Sequence, residues 1–74
     1  MKQKTFTITG EYIELIKLLK ATHICYSGGE AKQLVDEGLI SLNGNIEYRK
    51  RAKIRKGDKV QIKSIDIEII IDSD

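Results

Sequence analysis

Proline and tryptophan are absent from this chain, and cysteine, methionine and phenylalanine each occur once. The single Cys25 excludes an internal disulfide, and no cysteine and histidine spacing suits a tetrahedral metal site. The expectation is an intracellular, cytoplasmic protein with no metal and no cofactor. Aromatic residues make up only 5% of the chain, so its core must be built from Ile, Leu and Val, and a stacking platform of several rings is not expected. Long apolar runs are missing too. The nearest approach, Ile65 to Ile71, is interrupted by Asp66 and Glu68 and is well short of the ~20 residues that span a bilayer. Met1 to Phe6 alternate polar and apolar residues and do not enter an apolar run, so no signal peptide is expected. No repeat and no low-complexity linker is visible.

What is present is 74 residues, 41% apolar and 32% charged. This suffices for one small domain over residues 1–74, with a core too modest to enclose a catalytic cleft. The net charge of +2 hides an uneven distribution. Residues 1–38 balance five basic against five acidic groups, residues 39–63 carry eight basic and two acidic, and residues 64–74 carry four acidic and none basic.

Thr5 to Thr9 alternates with a period of two and predicts a strand with Phe6 and Ile8 facing inward, ended by Gly10. From Glu11 to about Thr22 the spacing becomes helical, with Ile13, Ile16 and Leu19 on the apolar side and Glu11 in the first turn. Ser27 and Glu30 stand three apart, as a capping box requires, so His23 to Tyr26 must connect two helices. The second helix turns Ala31, Leu34 and Val35 inward and stops at Gly38. Lys32 and Asp36 are spaced to pair across one turn. Leu39 to Leu42 reads as a strand, Asn43-Gly44 as a tight hairpin turn and Ile46 to Tyr48 as the return. Lys59 to Lys63 and Ile65 to Ile69 give two more strands, with Asp66 and Glu68 on the outer face.

Between these strands, Arg49 to Lys56 places six basic residues in eight positions. Clustered cations attract phosphate and release condensed counterions on binding, and the acidic residues that would neutralise them are confined to the carboxy-terminal strand. Gly28 and Gly29 at a helix start would let a phosphate approach bare N–H groups, with Lys32 one turn later, whereas Ser27 and Glu30 already cap that end. Residue chemistry leaves both readings open there. Tyr26 and Tyr48 are candidates for base stacking or for half-buried packing. His23 and Cys25 lack the acid or second thiol that would complete a catalytic set, so Cys25 reads as buried filler.

Ser27-Gly28-Gly29-Glu30-Ala31-Lys32, Glu37-Gly38, Asn43-Gly44, Glu47 to Ile54 and Gly57-Asp58, taken in order, resemble the S4 RNA-binding domain, or alpha-L motif. The pattern is similar to small stand-alone bacterial members of the YbcJ/YaaA type and covers about residues 12–69. The resemblance implies an α+β fold, a two-helix alpha-L motif packed on a small, mostly antiparallel β-sheet. It carries RNA contact onto Ser27, Gly28, Gly29, Lys32, Arg49, Lys50, Arg51 and Lys53, and more weakly Arg55. His23 departs from a position where the family commonly has glycine, Leu42 replaces the usual valine, Ala52 sits where many relatives have arginine, and Arg51 occupies a frequent glycine position.

The expected function is non-catalytic binding of structured RNA by shape and phosphate contact. The resemblance implies ribosomal RNA or ribosomal particles as the partner. A monomer is expected, with no membrane and no small-molecule substrate. The alternatives are a protein-interaction module docking its basic face on an acidic partner, and a helix-turn-helix protein reading DNA, for which the second helix offers little beyond Lys32 and Gln33. No convergent acid, base or nucleophile points to an enzyme.

Overall fold

The computed structural model describes residues 1–74. Its elements, in chain order, are β1 (Lys2–Ile8), β2 (Ile13–Glu14), α1 (Leu15–Ala21), α2 (Gly28–Asp36), β3 (Ile40–Leu42), β4 (Asn45–Ile46), β5 (Lys53–Ile54), β6 (Lys59–Ile62), a 3₁₀ turn (Lys63–Ile65) and β7 (Ile67–Ser73). Five strands form one mixed sheet in the order β1-β7-β6-β3-β4, while β2 and β5 make a separate two-stranded ribbon. The fold is thus α+β, with antiparallel pairing everywhere except between β1 and β7, which run parallel in the register Lys2↔Ile67 to Ile8↔Ser73.

Alternation along the strands decides what the sheet offers the helices. Ile40 pairs with Ile62 and Val60 with Ile69, so their branched side chains share one face. That face merges with Leu15, Leu18 and Leu19 of α1 and Ala31 and Val35 of α2 in a single buried cluster. Fully burying one such aliphatic side chain contributes about 1.5–3 kcal/mol, and no aromatic ring is needed.

Both helices end in the same way. The Leu39 and Gly38 N–H groups donate to the Leu34 and Val35 carbonyls, and Gly38 takes a left-handed φ of +73°. At the end of α1, Ile24 donates to Leu19 and His23 to Lys20, with His23 itself at φ +62°. Each is a Schellman motif, and its left-handed residue explains why glycine suits position 23. The Asn43-Gly44 turn has positive φ at both residues, as a two-residue hairpin requires. The Asn43 side chain also bonds Asp58 at 3.1 Å and accepts from the Lys59 N–H at 2.9 Å, tying this turn to the Gly57-Asp58 turn.

Several expectations need correction. The first helix starts at Leu15, because Ile13 and Glu14 are drawn into a strand by Ile54 and Lys53, so Glu11 is not in its first turn. The Ser27 hydroxyl accepts from the Glu30 N–H at 3.1 Å, but Glu30 makes no reciprocal bond, leaving half a capping box. Asp36 pairs with Lys50 at 3.1 Å and not with Lys32. The hairpin return ends at Ile46, although the Glu47 N–H still donates to the Ile40 carbonyl. The last strand begins at Ile67, since Ile65 belongs to the 3₁₀ turn and Asp66 is left-handed at φ +55°. Glu68 does lie on the face away from the helices, yet it is only 9% exposed, because Gln3 and Gln61 on the flanking strands donate to its two oxygens at 2.9 Å.

Candidate nucleic-acid interface

A helix start leaves backbone N–H groups without partners, and α1 has no side-chain cap to satisfy them. The Leu15 and Ile16 N–H groups instead donate to the Ala52 and Lys50 carbonyls, at 2.9 and 3.3 Å. The basic segment is therefore laid across the start of α1 by main-chain bonds. Ala52 is buried beneath it while Arg51 points outward, so the cation at this bend comes from Arg51.

This placement creates two clefts. One, of about 370 Å³, is lined by Lys17 and Lys20 of α1, Lys32 of α2, and Lys50 and Arg51, together with Ile16 and one carboxylate, Glu14. The other, of about 500 Å³, is lined by Arg49, Arg51, Lys53 and Arg55. Arg51 is common to both, so the two form one continuous cationic surface. Of the residues the sequence nominated, Lys32 and the five cations from Arg49 to Arg55 border this surface. Ser27, Gly28 and Gly29 do not line either cleft; they form the start of α2, the helix that carries Lys32.

Carboxylates temper the surface unevenly. Glu47 grips the Arg49 guanidinium with both oxygens, at 3.0 and 3.1 Å, and accepts from the Arg49 N–H at 3.0 Å. The Arg49 hydrogen bond holds the Glu47 carboxyl below its usual range and Arg49 correspondingly above its own. Asp36 holds Lys50, fastening α2 to the basic segment. Glu14 lies between Lys17 at 3.8 Å and Arg51 at 3.7 Å. Each pair leaves its cation partly or largely in solvent, so their effect here is to position cations more than to stabilise the fold. Lys20, Lys32, Lys53 and Arg55 have no carboxylate within ion-pair distance.

At the start of α2, Gly28 and Gly29 have no left-handed φ, and a Cβ at either would meet nothing within 4 Å. Nothing inside the protein demands glycine there. Tyr26 and Tyr48 are 83% and 61% exposed. Tyr48 has its hydroxyl over Gly38, where an added Cβ would meet it at 3.0 Å. Cys25 is buried, and burial, with Glu30 adding to it, pushes its thiol above the usual range, which disfavours the thiolate.

Lys17, Lys20 and Tyr12 escaped the sequence reading. Lys17 and Lys20 stand three apart and so share a helix face, which is legible. What faces them is not, because it depends on the bonds from α1 to Ala52 and Lys50. Tyr12 sits just before the unforeseen β2, where Lys53 and Arg55 approach its ring to 5.0 and 5.7 Å.

Residues 6–70 match the sequence profile of the S4 domain. YbcJ of Escherichia coli (strain K12) is 34% identical over 59 residues, which is 80% of this chain and 84% of that protein. YbcJ of Shigella flexneri matches to the same extent. The solution structure of E. coli YbcJ, described as revealing an alpha-L motif involved in RNA binding, superposes with a TM-score of 0.64 at 30% identity. The superposition covers 95% of this chain and 87% of that one. With the profile spanning both helices and most of the strands, the chain belongs to the S4 domain family and has the alpha-L fold.

Proposed function

We propose that this domain binds structured RNA, with ribosomal RNA or ribosomal particles as its target, and does so without chemistry. The single observation that carries the reading is the convergence of Lys17, Lys20, Lys32, Lys50 and Arg51, from three separate stretches of chain, on one cleft continuous with that of Arg49, Lys53 and Arg55. A surface of this kind meets phosphates spaced along a folded backbone. A-form RNA offers shape, phosphates and 2′-hydroxyls more readily than base edges sunk in its deep major groove. The start of α2 supports the same reading: the open space over Gly28 and Gly29 admits a nucleic-acid backbone close to the Ser27-capped helix end, with Lys32 one turn away. The YbcJ structure, described as an RNA-binding alpha-L motif, is consistent with this use of the fold.

The test is to crosslink the protein in cells, sequence the attached RNA, and treat a parallel pull-down with nuclease. Enrichment of ribosomal RNA, with protein partners released by nuclease, is expected. RNA at background with partners retained would replace this reading by a protein-docking one.

A further inference from the structure

Tyr12 joins two surfaces of different chemistry. Tyr12 is 40% exposed, and its ring lies under Lys53 and Arg55, at 5.0 Å from the ammonium nitrogen and 5.7 Å from the guanidinium carbon. These cations are two residues apart on an extended segment, a spacing that projects both to one side. Neither forms an ion pair, although Glu14 lies opposite Lys53 in the β2–β5 pair and the Asp58 carboxylate accepts from the Arg55 backbone N–H at 2.8 Å, so two like charges share one ring with only partial compensation nearby. Tyr12 also forms part of the wall of a cavity of about 170 Å³, shared with Phe6, Ile8 and Ile13 and with Thr7 and Thr9.

A nucleotide has the same two halves: a flat, largely apolar base and a phosphate that relieves cation crowding. Aromatic side chains and guanidinium planes are the groups on which unpaired bases stack, and the preference is for unstacked bases over any particular sequence. We infer that Tyr12 and the cavity beside it receive an unpaired RNA base, while Lys53 and Arg55 hold the adjoining phosphate. This rests on the RNA-binding reading above and gives it a second, uncharged component: the basic clefts supply attraction to any folded RNA, and Tyr12 supplies selection for RNA with an accessible base.

The experiment compares wild type, Tyr12→Leu and Tyr12→Phe by fluorescence anisotropy on two labelled RNAs of equal length, a hairpin with an unpaired loop and a blunt duplex. Tyr12→Leu keeps apolar bulk but removes the ring, so it should weaken hairpin binding about 5- to 150-fold, leaving duplex binding and the salt dependence unchanged. Tyr12→Phe should behave as wild type. The wild-type protein should lose a comparable factor when the loop bases are replaced by abasic sites, a readout independent of any effect of substitution on folding. Wild-type hairpin affinity in Tyr12→Leu, equal losses on both RNAs, or indifference to abasic loops would each overturn the inference. Failure of the wild-type protein to bind either RNA would instead remove the RNA reading itself.

Discussion

Neutralising Lys20 and Lys32 together, as Lys20→Gln and Lys32→Gln, gives the sharpest measure of the cationic cleft. Both residues line it, from different helices, and neither has an acidic partner. Each phosphate neutralised contributes about 0.7–0.9 to the slope of log K against log salt, so phosphate contact by the four cations outside any ion pair, Lys20, Lys32, Lys53 and Arg55, would give a wild-type slope of at least about −2.8 to −3.6. The double variant should lose about 1.4–1.8 of that slope. Between 50 and 200 mM salt its affinity should therefore fall about 7- to 12-fold less than that of wild type. Fluorescence anisotropy with a labelled RNA hairpin at four or more salt concentrations measures this directly. Lys2→Gln with Lys4→Gln removes the same net charge at the start of the edge strand β1, away from both clefts, and should leave the slope alone. An unchanged slope in the cleft variant, or an equal change in the β1 variant, would mean that phosphates do not occupy the cleft.

Three further outcomes follow from the geometry. Gly29→Ala meets no neighbour and no strained φ, so thermal melts should show stabilisation by about 0.4–1 kcal/mol while RNA affinity falls; unchanged or tighter binding would deny close approach of the RNA backbone at the start of α2. Asn43→Ala places a Cβ residue without local hydrogen bonding at φ +52° and removes the bonds to Asp58 and Lys59. It should cost about 1–3 kcal/mol, read as a fall in Tm of roughly 4–8 °C per kcal/mol, and a change of under about 2 °C would show that the two turns are not coupled. Glu68 is held below the ordinary carboxylate range first by the Gln61 hydrogen bond and then by that of Gln3. A depressed folded pKa means stability that is present above the unfolded value of about 4.3 and lost as pH falls through the lower folded value. Glu68→Gln should thus flatten the acid limb of a Tm against pH profile, and an identical limb would show that Glu68 does not contribute to it.

The sequence by itself determined the local pieces, because their causes are local. Ser27 capping the Glu30 N–H, Gly38 closing a Schellman motif, Asn43-Gly44 making a two-residue turn and alternating isoleucines making strands all act over a few residues. The ordered spacing of those pieces also carried the family. Tertiary structure decided the rest. The strand at Ile13 and Glu14 exists only because Ile54 and Lys53 arrive beside it, overriding a helical pattern that was otherwise correct from Leu15 onward. The parallel pairing of β1 with β7 joins the two ends of the chain, which no local signal could announce. The cationic surface is of the same kind: its residues are plain in the sequence, but the N–H groups at the start of α1, lacking a side-chain cap, draw the Lys50 and Ala52 carbonyls over them and so set Lys17 and Lys20 beside Lys32, Lys50 and Arg51. Charge was legible because composition fixes it, whereas the arrangement of that charge depended on hydrogen bonds between residues more than thirty positions apart.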